Sequence, residues 1–169
     1  MRLAVGLEPM TVGMAKLPMH ADAAAKQLTC NSCHGPHQYD TTPAQAESCL
    51  SCHNDEHSNN WRQSKHATLW LADPNSGASC ATCHMPRETL AGDAGVQIQH
   101  NQSANLRPND KMLKGVCMRC HGLEYAMSAL ADAGLIQQNF SAPASGKHIS
   151  IDWARQHSAA EKEKPTSAP

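Results

Sequence analysis

One pentapeptide pattern limits what this chain can fold around. Cys-x-x-Cys-His occurs four times, as CNSCH at Cys30–His34, CLSCH at Cys49–His53, CATCH at Cys80–His84 and CMRCH at Cys117–His121. All eight cysteines fall within these copies. A cysteine pair so spaced holds zinc, cycles as a dithiol, or anchors a haem through thioethers to its vinyl groups. Only the last use needs a histidine immediately afterwards, to turn beneath the ring and give iron its proximal nitrogen. With 11 histidines in 169 residues, composition alone would put one after all four pairs with odds of about one in fifty thousand. The pattern therefore predicts four haem c groups. Their attachment points are Cys30, Cys33, Cys49, Cys52, Cys80, Cys83, Cys117 and Cys120, and their proximal ligands are His34, His53, His84 and His121.

The competing uses explain less. Cys30 and Cys33 with Cys49 and Cys52 have a plausible zinc spacing, but zinc leaves the adjacent histidines without a purpose. A redox dithiol is expected near a βαβ pattern, and none is present. A disulfide framework has no use for the histidines either. Aromatics are only 4% of the chain and the mean hydropathy is -0.52, so side chains alone make a thin core. Zinc would add almost no volume to it, whereas haems are large and mostly apolar. The balance of 14 basic against 15 acidic residues argues against nucleic-acid binding.

Punctuation along the sequence gives a mainly α protein, with helices and long loops packed around four covalently bound haems. Residues 1–28 form an N-terminal arm, 29–140 the tetrahaem core, and 141–169 a linker, short helix and tail. Helical stretches are expected at Ala21–Leu28, around Ala44–Glu47, from His57 to Leu71, entering the fourth motif after Asn109–Asp110, at Leu123–Ala133, and at Ile149–Lys164. Gly134 is read as a helix stop. Pro86–Pro108 is read as a long loop, and Trp61 and Trp70 are available to pack against haem edges. Met1–Met19 is broken by Glu8, Lys16 and two prolines, so it is neither a signal peptide nor a membrane span. Because c-type haem is attached outside the cytoplasm, a periplasmic or extracellular location is expected, with the chain a processed form or part of a longer parent.

Seven histidines lie outside the motifs: His20, His37, His57, His66, His100, His148 and His157. This surplus favours bis-histidine ligation at all four irons over the use of methionine, and hence low potentials. His37 follows the first motif so closely that it reaches a neighbouring haem more easily than its own. His148 and His157 lie in the least constrained segment and are set aside.

The run TCNSCHGPHQYDTTPAQAESCLSCHNDEHSNNWRQSKHATLW, followed by CATCHMPR and LKGVCMRCHGLEYAMSALADAG, resembles the C-terminal four-haem part of octahaem cytochromes of the hydroxylamine oxidoreductase family. It covers about Leu28 to Gly134. The resemblance implies a helical fold with closely packed rings. It makes His37, His66 and His100 distal ligands, with His20 in the LPMH stretch as the fourth. It also sets Asp55-Glu56-His57 beside the family's Asp-His pair, with one residue inserted. His57 is then either a displaced pocket residue or a ligand. Tyr125 lies too close to the fourth motif to match the family's crosslinking tyrosine, and the catalytic haem belongs to a part of the family not matched here. Electron transfer to other redox proteins or cytochromes is the leading expectation. A haem enzyme (or a subunit of one) acting on a small nitrogen or sulfur compound, and a structural subunit of a cytochrome filament built by self-association, are the alternatives.

Overall fold

The computed structural model describes residues 29–37, 39–90, 92 and 95–162. The expected helix at Ala21–Leu28, and His20, lie outside them. Short capped helices dominate: α1 (Glu47–Leu50), α2 (Glu56–Trp61), α3 (Lys65–Ala72), α4 (Cys80–His84), α5 (Gln102–Leu106), α6 (Met112–Gly115), α7 (Leu123–Ala131), α8 (Ala133–Gln137) and α9 (Ile149–Lys162). The mainly α class holds.

Polar caps decide where these helices break. Asp55 accepts the Ser58 N–H at 3.1 Å to start α2, and Ser64 accepts the Ala67 N–H at 3.1 Å to start α3. The single helix expected from His57 to Leu71 is therefore two, because the Ser64 hydroxyl offers the backbone a fresh N-terminus. Likewise α7 ends at Ala131, since Asp132 turns extended and caps α8 through the Leu135 N–H at 2.9 Å. Gly134 lies inside α8 and stops nothing.

The stretch read as one long loop contains an antiparallel hairpin, β1 (Arg87–Thr89) against β2 (Val96–Ile98), with Arg87 opposite Ile98. Gly95, at φ 96°, makes the left-handed bend that returns the chain. Helix α5 follows.

Two small apolar clusters hold the elements. Ala46, Leu50, Trp61, Ala67 and Trp70 form one, with Cys80 against it. Met112, Val116 and Leu130 form the other, flanked by Cys83, Leu106, Leu113 and Cys117. Trp61 and Trp70 meet edge to face at 5.7 Å. The Trp61 indole donates to the Ala78 carbonyl at 2.9 Å. The largest side chains less than 2% exposed are only Ser64 and Ser79. The interior is thin in the way the composition suggests. Helix α9 is fastened by Arg155 and Lys147, which share Glu124 at 2.5 and 3.6 Å. Among the described residues no helix is long and apolar enough to cross a membrane.

Candidate functional site

Each motif closes one helical turn. The histidine N–H bonds back to the carbonyl of the first cysteine in three of them: His34 to Cys30 at 2.9 Å, His53 to Cys49 at 2.8 Å and His121 to Cys117 at 2.9 Å. In the third motif the same turn is α4 itself, begun by a capping box between Ser79 and Thr82. That turn sets two thiols and an imidazole on one short piece of backbone, the arrangement thioether attachment with proximal ligation requires. No two of the cysteines are joined in a disulfide. No group of three or more His, Cys, Asp or Glu side chains gathers around a point among the described residues.

Neighbouring motifs touch in chain order. The Ser48 hydroxyl donates to the Cys33 carbonyl at 3.1 Å, joining the first two. The Cys49 and Cys80 thiols share a hydrogen bond that raises the first and lowers the second, joining the second and third. Cys83 lies near Cys117 and Cys120, joining the third and fourth, and burial with that proximity pushes its thiol up to about 12.

Across from the motifs stand other histidines. His34 faces His100 with ring centroids 6.4 Å apart, His84 faces His57 at 6.0 Å, and His121 faces His66 at 6.0 Å. A metal–imidazole bond is about 2 Å long and the ring centroid sits about 1.1 Å behind the bonding nitrogen, so two imidazoles on opposite sides of one ion have centroids about 6 Å apart. Distance alone does not mark a ligand, since Phe140 also lies 6.4 Å from His66. The mark is that each pair joins one motif histidine to a different histidine far away in sequence. The tilts of 48°, 52° and 67° exclude stacking as the reason for the approach.

The partners are also held as metal ligands are held. The His57 Nδ1 lies 2.5 Å from the Ile136 carbonyl, and the His100 Nδ1 lies 3.0 Å from the Ile98 carbonyl. An Nδ1–H donated to a carbonyl leaves Nε2 with its lone pair. At His57 the Asn139 amide, which donates to the His57 carbonyl at 3.1 Å, also lies 3.3 Å from Nε2 and meets that lone pair, so ligation by His57 would require the amide to turn aside. Burial, then His57 and His53, lowers His84 to about 4, and burial followed by His121 lowers His66. Both rings stay neutral at physiological pH, as ligation demands.

The remaining sequence candidates fall elsewhere. No histidine ring faces His53 among the described residues. His37 is exposed in the left-handed region at φ 61° and opposes no motif histidine. His148 accepts the Ser150 N–H at 3.2 Å at the start of α9, and His157 stacks on Trp153 at 4.0 Å. Asp55 is the cap of α2: burial pushes its carboxyl up, but hydrogen bonds from Ser58, with the hydroxyl at 2.6 Å, outweigh this and hold it below the usual range. Tyr125 lies against His121 at 4.9 Å. Sequence reasoning missed the supporting role of α8, whose end carries Ile136, Asn139 and Phe140.

No protein-family model matches the chain, and no curated protein or solved structure does either.

Proposed function

We propose that this chain is an electron-transfer protein carrying four haem c groups in chain order, ligated by histidine on both faces. The observation that carries the reading is the set of three opposed pairs, His34 with His100, His84 with His57, and His121 with His66, each about 6 Å apart. The cysteine pairs would hold the groups covalently, and the groups supply a reversible one-electron iron couple at low potential. The chain's own contribution is to set the two imidazoles of each pair about 6 Å apart and space the motifs as neighbours. His57 is read as a ligand rather than a pocket residue. For the group held by His53, His37 is one candidate, from its place just after the first motif. His20 is the remaining candidate. The kinship is read as the four-haem part of octahaem hydroxylamine oxidoreductase-like cytochromes, and the location as periplasmic or extracellular.

A pyridine haemochrome spectrum with intact mass on protein matured in a periplasm tests this reading. Four thioether-linked haems per chain are expected, and zinc or disulfides in their place would refute it. A high-spin ferric signal from the intact protein would favour the enzyme reading, since a substrate needs an open iron.

A further inference from the structure

We propose that the face around the fourth motif is a docking surface for an acidic redox protein. This rests on the reading that Cys117, Cys120 and His121 hold a haem. Residues 107–119 (RPNDKMLKGVCMR) carry Arg107, Lys111, Lys114 and Arg119 against a single acid, Asp110, and all four cations are exposed. Met112 and Val116 are buried in the cluster with Leu130, whereas Lys111, Lys114 and Met118 are exposed. None of the four cations is in an ion pair among the described residues, whereas Lys147 and Arg155 are both taken by Glu124.

The centre of this ring of charge is apolar. Met118 is 43% and Leu123 47% exposed, and Cys120 and His121 between them are exposed too. Charge steers a partner while a small apolar contact seats it and still allows release, as transient electron transfer needs. A haem c carries its propionates on the edge away from its thioethers, so their negative charge does not cancel the cations at Cys117 and Cys120. The opposite end of the relay differs. Residues 29–61 hold four acids, Asp40, Glu47, Asp55 and Glu56, and no lysine or arginine. An acidic surface is therefore drawn to the fourth motif and repelled from the first two. Docking would make and break no bond: the reduced partner would lose one electron, and the haem that Cys117, Cys120 and His121 would hold would gain it.

The test is stopped-flow reduction of the four-haem protein by a reduced plant-type [2Fe–2S] ferredoxin, an acidic low-potential donor. The second-order rate should fall about tenfold between low and physiological salt. Lys111→Glu/Lys114→Glu should lower the low-salt rate about tenfold with haem count and spectrum unchanged, and Lys111→Gln/Lys114→Gln should fall between. Arg62→Glu/Lys65→Glu, with the same change in charge, should leave the rate near wild type. A salt-insensitive rate, or equal losses in both charge-reversal variants, would overturn the proposal. So would salt-sensitive self-association of the wild type, or binding to phosphatidylserine vesicles, if lost in Lys111→Glu/Lys114→Glu, since the face would then serve a second copy or a membrane. Absence of haem would refute the functional reading itself, whereas four haems with a salt-insensitive rate would refute only the docking.

Discussion

The first and third motifs share a pattern and differ in almost everything around it. Cys30–His34 sits on a 3-10 turn with no buried residue, and His34 is exposed. Cys80–His84 is a capped α-helix between the two apolar clusters: Cys80 packs on the tryptophan cluster and Cys83 on the methionine cluster. His84 retains some exposed surface, yet its surroundings push its imidazole down to about 4. Side chains thus organise the third site with little help, while the first would depend on its cofactor for order. The pattern is the same in both, and the neighbouring sequence sets how much of each site is protein.

The comparison breaks most visibly when attachment is removed. Cys80→Ser/Cys83→Ser should lose one haem and destabilise the rest by about 3–5 kcal/mol, because the site between the clusters is left as a cavity. Cys30→Ser/Cys33→Ser should lose one haem at a much smaller cost. Thermal melts followed by circular dichroism, with haem counts, would show it. Equal losses of stability would mean the first site is as central as the third.

Smaller effects come from the support of His57. Asn139 adopts φ 51° and its amide holds His57, so Asn139→Ala should cost about 1–2 kcal/mol and broaden the low-spin ferric signal of the third site. Asn139→Gly should recover part of the stability, through the relaxed backbone, without recovering the signal. Chemical denaturation and electron paramagnetic resonance separate the two effects. Smaller still, Ser79→Ala removes the cap on α4 and should cost about 1 kcal/mol. Thr29→Ala, before the exposed first motif, should cost less in the same denaturation assay.

The mainly α class was legible in the sequence because it rests on local pattern, the helix formers between turns. His66 and His100 were legible as candidates by resemblance. Their pairing was not, because it depends on contacts spanning dozens of residues that no local period records. The status of His57 was hidden for a similar reason. Its Nδ1 partner, the Ile136 carbonyl, belongs to α8, and that helix forms only because Asp132 offers a cap two residues before the glycine read as a stop.

The pairing of histidines across the motifs is tested most directly by carbon monoxide binding to the reduced protein after His57→Ala, His66→Ala and His100→Ala, with His148→Ala and His157→Ala as controls. Each of the first three should keep four covalent haems and bind one further equivalent of carbon monoxide, with a new ferric high-spin signal, while the controls bind no more than wild type. If none of the three gains a carbon monoxide site, or if His148→Ala and His157→Ala gain one equally, the opposed rings are not iron ligands and the account is wrong.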